Sequence, residues 1–110
     1  MTESQVTAKL VRQLNNHGYF WKASDKFRAG IPDVIGVCGG RFAAIEVKID
    51  SNGPTPLQVH TLDQMERHMA YTAVATYSNK HKLWFVNGQS FPSTETCAAH
   101  IIRQIEDRTI

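Results

Sequence analysis

Two short apolar runs, separated by the pair Gly39-Gly40, constrain the fold of this chain more than any other feature. Consecutive glycines adopt the positive φ angles that a tight hairpin turn requires, so the two runs are predicted to be neighbouring antiparallel strands. Along a strand, side chains two residues apart project from the same face. Glu46 and Lys48 in the second run therefore share one face, and the apolar residues beside them point to the other.

The same hairpin would bring Asp33, which precedes the first run, close to Glu46 and Lys48. Two carboxylates suit Mg²⁺, which takes one or two carboxylates from a protein and keeps water in its other positions. We therefore expect Asp33 and Glu46 to bind Mg²⁺, with the backbone carbonyl of Val47 as a third ligand. Lys48 could orient a metal-activated water or stabilise charge on a phosphate, and Gln58 could orient that water or Lys48. The alternatives are a Pro-Asp turn residue at Asp33 and an exposed ion pair between Glu46 and Lys48.

The first helix is predicted to begin after an N-cap at Thr2 and to end before Gly18 as its C′ residue. Its apolar stripe has helical spacing and comprises Val6, Leu10 and Leu14. Glu3 lies in phase with this stripe. It could point over the sheet toward the acidic site, or it could be a first-turn acid that the helix dipole favours.

The second helix is predicted to begin after Thr55, with Pro56 at its first position. Its predicted core stripe comprises Leu62, Met65 and Met69. Gln58 lies in phase with that stripe, so its amide is expected on the buried side of the second helix. The Glu3 carboxylate has the corresponding position at the start of the first helix.

The remaining segments complete a mixed-sheet α/β fold. Strands are predicted from Tyr19 onward and over residues 33–37, 42–48, 71–77 and 83–86, with a loop over residues 24–30 and a last helix after Ser93 or Thr94. Short connections make the first three strands antiparallel, and the second helix lets the next strand run parallel to a neighbour. The chain of 110 residues is predicted to be a single domain over residues 1–110.

Composition excludes several classes of protein. No run reaches the roughly 18 apolar residues of a membrane span, and the polar start of the chain does not read as a secretory signal. Cys38 and Cys97 are far apart and lack metal-ligand spacing, so we expect neither a zinc site nor a disulfide, and a cytoplasmic location.

Basic residues gather in the first part of the chain. Residues 1–48 contain seven basic and four acidic side chains, and three of the four acids belong to the predicted site. The candidate contacts to a phosphate backbone are Lys22, Lys26, Arg28 and Arg41. Ordinary solvated charges are the alternative.

The motifs together resemble a known nuclease superfamily. The residues that carry the resemblance are Glu3, Gly30-Ile31-Pro32-Asp33, Ile45-Glu46-Val47-Lys48 and Gln58. They are similar to the PD-(D/E)XK superfamily and, more narrowly, to stand-alone VRR-NUC domains of the small phage and bacterial type. The resemblance covers roughly residues 2 to 78.

This resemblance implies a restriction-endonuclease-like αβββαβ core with a mixed central sheet flanked by helices. It implies a metal-dependent deoxyribonuclease in which Asp33 and Glu46 bind Mg²⁺ or Mn²⁺, Lys48 is catalytic, and Glu3 and Gln58 assist. Small members look like homodimeric Holliday-junction resolvases, so branched DNA, a second copy of the chain and a bacterial or phage-infected cell are expected. No small-molecule cofactor or membrane partner is expected.

Other functions stay open at this point. The same site could serve a nicking or flap endonuclease or an exonuclease. The fold could also be a non-catalytic nucleic-acid-binding module, or a protein-interaction domain with a surface charge cluster. Residues that could form a dimer interface are Trp84, Phe85 and those of the first helix.

Overall fold

In the part of the chain that the structure describes, six strands form one sheet whose spatial order follows the order of the chain, and three helices pack on it. The computed structural model describes residues 1–23 and 28–107. The helices are α1 (Glu3–Leu14), α2 (Pro56–Arg67) and α3 (Thr94–Glu106). The strands are β1 (Tyr19–Lys22), β2 (Val34–Cys38), β3 (Arg41–Ile49), β4 (Tyr71–Ser78), β5 (Leu83–Val86) and β6 (Gln89–Phe91). All neighbouring strands are antiparallel except β3 and β4, which are parallel, so the predicted mixed-sheet α/β fold is confirmed.

The β2–β3 hairpin is the predicted one. Gly39 and Gly40 have φ angles of 57° and 78°, which are the left-handed values that favour glycine at a two-residue hairpin turn. The turn sets a register in which Val34 lies opposite Ile45. Because register fixes which side chains share a face, this turn also fixes the neighbours of Glu46.

Helices α1 and α3 cover one face of the sheet and enclose the main core. Alternate residues of the strands point into this core, together with the apolar stripes of both helices. The stripe predicted for α1 is confirmed, since Val6, Leu10 and Leu14 are all fully buried. Thr2 is the N-cap, and its side chain accepts a hydrogen bond from the Gln5 amide.

Among the elements that the structure describes, helix α2 packs alone on the opposite face, over β3 and β4. Leu62 is its buried residue, and Met65 is half-buried. The prediction that Met69 belongs to the buried stripe is wrong, because the helix ends at Arg67 and Met69 is 73% exposed. With a φ of 75°, Met69 takes the left-handed conformation that commonly ends a helix, and its side chain therefore leaves the helical stripe.

The end of α1 also differs from the prediction. The helix ends at Leu14 with Asn15 as its C-cap, so Gly18 is not the C′ residue. Gly18 serves a close contact instead. A Cβ at this position would lie 2.8 Å from both the Phe20 ring and the Val37 carbonyl oxygen.

The sequence prediction missed β6. This strand follows Asn87 and Gly88, which both have positive φ angles, and Asn-Gly is a strong signal for a tight hairpin. Trp84 in the preceding strand is only 1% exposed, and its indole N–H donates a hydrogen bond to Thr94. Trp84 therefore belongs to the core of the protomer and cannot contact a partner there.

The described part of the chain contains no helix long and apolar enough to cross a membrane. Cys38 and Cys97 are both buried, free thiols.

Candidate metal centre

The β2–β3 register brings Asp33 beside Glu46. The last paired residues of the hairpin are Val34 and Ile45, and one step further Asp33 faces Glu46. Strand β3 continues beyond Val34, the first residue of β2, and there the Asp33 side chain replaces a backbone partner. Its Oδ2 accepts a hydrogen bond of 2.9 Å from the backbone N–H of Val47. This bond fixes one carboxylate oxygen of Asp33.

The loop that leads into Asp33 packs against the start of α2. Gly30 has a φ of 86°, and a Cβ there would lie 2.8 Å from the side chain of Leu57. Glycine is therefore required both by the backbone angle and by the close approach to α2. This explains the Gly-x-Pro-Asp pattern, since the contact brings the Asp33 loop and α2 to the same end of the sheet.

Glu46 is fully buried between α2 and the sheet, and its two oxygens have different surroundings. Oε1 accepts a hydrogen bond of 3.3 Å from the side-chain amide of Gln58 and lies 3.8 Å from the Lys48 ammonium. Oε2 is buried without a hydrogen-bond partner. A buried carboxylate oxygen without a donor is costly, so a positive ligand at this atom would stabilise the ionised form.

The pKa of Glu46 reports the same imbalance. Burial is the largest cause that raises this pKa to about 9. When Glu46 is protonated, its carboxyl can share a hydrogen bond with Asp33, and this bond and the negative charge of Asp33 raise the pKa further. The Lys48 ammonium lowers the pKa, and the Glu3 carboxylate, the smallest of these causes, raises it. With the chain alone, the site holds more negative charge than its single ammonium can balance.

Glu3 is the first residue of α1 and is half-buried. Its carboxylate is near enough to raise the pKa of Glu46, so α1 brings this charge to the edge of the cluster. Glu3 is nevertheless the most distant member of the predicted site, because no hydrogen bond or ion pair joins its carboxylate to Asp33, Glu46 or Lys48 within residues 1–23 and 28–107.

Gln58 has two partners through one side-chain amide. Its Oε1 accepts from the backbone N–H of Thr55, which closes a reciprocal capping box at the start of α2, and its Nε2 donates to Glu46. The cap therefore orients the amide that contacts the carboxylate. The helical phase predicts that Gln58 faces the sheet, and the residue is half-buried there. Thr55 is the predicted cap, and the Thr-x-x-Gln pattern is also typical of the reciprocal hydrogen bond that Gln58 makes.

The donor set fits a hard divalent cation. Asp33 and Glu46 supply two carboxylates, and the N–H and C=O of a strand residue point to the same side. The Val47 carbonyl therefore points toward Asp33, as the Val47 N–H does. Within the described ranges, no group of three or more His, Cys, Asp or Glu side chains is placed to hold a metal ion. A two-carboxylate site of this kind matches Mg²⁺ or Mn²⁺ with water in the other positions.

The predicted basic contacts fall in different places. Lys22 and Arg28 are exposed, and the Lys22 ammonium donates a hydrogen bond to Ser4. Lys26 lies outside the described residues. Arg41 lies at the other end of β3, about 17 Å from Glu46 at 3.4 Å per residue. Its guanidinium donates to the backbone carbonyls of Met69, Gln104, Ile105 and Asp107.

Comparison with known proteins gives structural neighbours. No protein-family profile matches the chain, and no curated protein matches its sequence. A solved VRR_NUC domain is 25% identical, with a TM-score of 0.59 over 71% of this chain and 86% of that one. The Holliday junction resolvase Hjc of Archaeoglobus fulgidus is 20% identical, with a TM-score of 0.59 over 76% of this chain and 70% of that one.

Both neighbours are PD-(D/E)XK-like nucleases, and both share the mixed sheet and flanking helices described above. The resemblance that the motifs predicted is therefore confirmed, and the chain has the restriction-endonuclease-like fold of the VRR-NUC domain.

Proposed function

We propose that this chain is a divalent-metal-dependent DNA endonuclease that hydrolyses phosphodiester bonds in branched DNA. The observation that carries the proposal is the buried Glu46 carboxylate, whose Oε2 has no hydrogen-bond partner and whose neighbours are Asp33, Lys48 and Gln58. The nuclease fold of both structural neighbours supports the same reaction class.

In this proposal Asp33, Glu46 and the Val47 carbonyl hold Mg²⁺ or Mn²⁺, and Glu3 lies at the edge of the site. A bound divalent ion neutralises charge on the phosphate and makes water a better nucleophile. Asp33 is kept in place by the Val47 N–H, and Glu46 by the Gln58 amide. These two hydrogen bonds orient the carboxylates before any ligand arrives, which is the preorganisation that catalysis needs.

Lys48 is proposed to act on the reacting phosphate. Its side chain is 11% exposed, so it reaches the site from a largely water-free position. An ammonium there is positioned to orient the attacking water and to stabilise the negative charge that develops on the phosphate oxygens. Glu46 lies 3.8 Å away and holds the ammonium on this face of the sheet.

A branched substrate and a homodimer complete the proposal. The structural neighbour Hjc is a Holliday junction resolvase. Two symmetric strands of a junction call for two active sites, which a two-fold dimer of this chain would supply. Phe85 and the first helix are the proposed interface residues that remain, since Trp84 is buried. We place the reaction in the cytoplasm, where free thiols such as Cys38 and Cys97 persist.

Proposed DNA contacts are Lys22, Lys26, Arg28 and Arg41. Lys22 and Arg28 carry most of this part of the proposal, because both are exposed and Arg41 already binds four backbone carbonyls. Contacts to phosphates should make binding weaken steeply with salt.

The test is cleavage of a labelled four-way junction, a flap, a linear duplex and a single strand, with Mg²⁺, Mn²⁺ or EDTA. Wild-type protein should make paired symmetric cuts in the junction that EDTA abolishes, and Lys48→Ala should make none. Cutting of flaps or ends with the junction spared would replace the resolvase with a flap nuclease or an exonuclease. DNA binding without cutting of any form would overturn the enzyme and favour a binding module.

A further inference from the structure

Two aromatic side chains lie on the same face of the sheet as the carboxylates. In the β1–β2 register, Trp21 is opposite Ile35 and Tyr19 is opposite Val37. Ile35 and Val37 alternate with buried core residues, as Asp33 does one step earlier. Tyr19 and Trp21 therefore project from the face that carries Asp33 and Glu46, and we name this pair the aromatic platform.

The aromatic platform is exposed and its two rings touch. Tyr19 is 73% exposed and Trp21 is 44% exposed. The ring centroids lie 5.6 Å apart with planes inclined by 50°. Contiguous apolar patches of a few hundred Å² on a monomer are often functional, so this pair is a candidate contact for a ligand.

The fold holds the platform in a fixed orientation. Between the two rings, Phe20 points into the core and packs over Gly36, where any Cβ would lie 2.2 Å from the Phe20 ring. The Asn15 side chain accepts from the N–H of Phe20 and donates to its carbonyl oxygen. These contacts exclude a one-residue slip of β1, so Tyr19 and Trp21 are kept on the outer face.

The platform is close to the proposed site of cleavage. Trp21 is one strand away from Asp33 and two residues along, which gives about 8 Å between Cα atoms, and about 12 Å from Glu46. These distances correspond to a few nucleotides at the 3.4 Å rise of a DNA strand. DNA bound with a phosphate at the carboxylates can therefore reach the two rings.

The size of the patch favours a small ligand over a second protein copy. Val37 and Phe42 extend the apolar surface and are 41% and 38% exposed. An aromatic side chain offers about 150–250 Å², so at these exposures the four residues offer on the order of 400 Å². A stable protein interface needs about 800 Å² from each partner.

We infer that Tyr19 and Trp21 stack on unpaired bases of the DNA, a few nucleotides from the scissile phosphate. The inference rests on the proposed function and narrows its substrate to DNA with unstacked bases near the cut, such as a flap or an open branch point. Every base has a flat π-face, so stacking of this kind tolerates any sequence. Edge strand β1 thus becomes the part of the sheet that distinguishes branched DNA from continuous duplex.

The test uses intrinsic fluorescence, because the chain has only two tryptophans and Trp84 is buried. Titration with a single-stranded oligonucleotide in EDTA, where no cleavage occurs, should quench the emission, and duplex of the same sequence should quench it far less. Trp21→Phe should remove the quenching and keep the affinity measured with labelled DNA. Trp21→Ala should weaken single-strand binding on the order of 10-fold and leave duplex binding nearly unchanged.

Val59→Ala is the matched control, since Val59 is 50% exposed on α2 and its loss should change neither affinity. Equal loss of single-strand and duplex binding in Trp21→Ala would overturn the inference. The inference would also be overturned if Trp21→Ala bound DNA as the wild type does but sedimented with a different mass. That result would make the aromatic platform an interface between copies of the chain. Because the measurement needs no cleavage, an inactive protein that still shows base-dependent quenching would refute the proposed function alone.

Discussion

At the scale of single residues, Glu46 departs clearly from what is ordinary in a protein interior. It is fully buried, contacts one ammonium at 3.8 Å and one amide, and leaves Oε2 without a donor. A carboxylate in that position destabilises the folded chain unless it is protonated or binds a cation. We read this local cost as the mark of a site built for a divalent ion.

The first prediction concerns Glu46→Gln. The folded pKa of Glu46 is raised from 4.5 to about 9, so between these values the folded state binds one more proton than the unfolded state. The stability of metal-free wild-type protein should therefore fall as pH rises through this window. Glu46→Gln should lose this dependence and be the more stable protein at pH 8 in EDTA.

Thermal unfolding between pH 5 and pH 9 in EDTA measures this difference. Each 1 kcal/mol should appear as a Tm shift of about 4–8 °C in a domain of this size. Saturating Mg²⁺ should raise the Tm of the wild type and leave that of Glu46→Gln almost unchanged. Parallel pH profiles of the two proteins would refute the account of Glu46.

At the scale of secondary-structure elements, the start of α2 links helix stability to the site. Gln58 closes the capping box with Thr55 and also donates to Glu46. Helix α1 has the same capping box, formed by Thr2 and Gln5. The contacts that the structure gives Gln5 do not include the carboxylates of the site. The two helices therefore offer a natural comparison of capping with and without a functional contact.

The second prediction uses this pair. Gln58→Ala and Gln5→Ala should each lower the free energy of unfolding by about 1 kcal/mol, as the loss of a cap interaction does. Only Gln58→Ala should also slow DNA cleavage, because only Gln58 orients Glu46. Urea unfolding and single-turnover cleavage, measured on both variants, separate the two effects. Equal cleavage by Gln58→Ala and Gln5→Ala would show that Gln58 is a helix cap only.

Local chemistry explains how far these elements could be predicted from the sequence. The Gly39-Gly40 turn and the caps at Thr2, Thr55 and Ser93 are short-range signals, and the structure contains all of them. Met69 was misassigned because periodicity cannot show where a helix stops. The β6 strand was not predicted because it has only three residues, although the pair Asn87-Gly88 is a strong signal for the turn that precedes it.

At the scale of the whole molecule, the cluster could be predicted because one hairpin builds most of it. Asp33, Glu46 and Lys48 come from two adjacent strands, so turn and alternation suffice to bring them together. Arg41 shows the limit of such reasoning. Its partners lie up to 66 residues away at the end of α3, and nothing in the local sequence indicates that contact.

The third prediction concerns the proposed dimer. If two copies cut a junction symmetrically, a protomer with Asp33→Asn should silence only its own site. Wild-type protein mixed with excess Asp33→Asn should therefore nick one strand of a junction, where wild type alone makes paired cuts. A supercoiled cruciform plasmid reports the difference as open-circular against linear product. If added Asp33→Asn lowers the amount of linear product and no open-circular product accumulates, a dimer with independent sites is contradicted.

The central claim is that Asp33 and Glu46 form a divalent-cation site. Titration of Mn²⁺ followed by electron paramagnetic resonance measures binding without DNA and without turnover. Wild type and Lys48→Ala should both bind Mn²⁺, and Asp33→Asn and Glu46→Gln should lose it while remaining folded. Undiminished Mn²⁺ binding by Glu46→Gln, or none by folded wild type even with DNA present, would contradict the account.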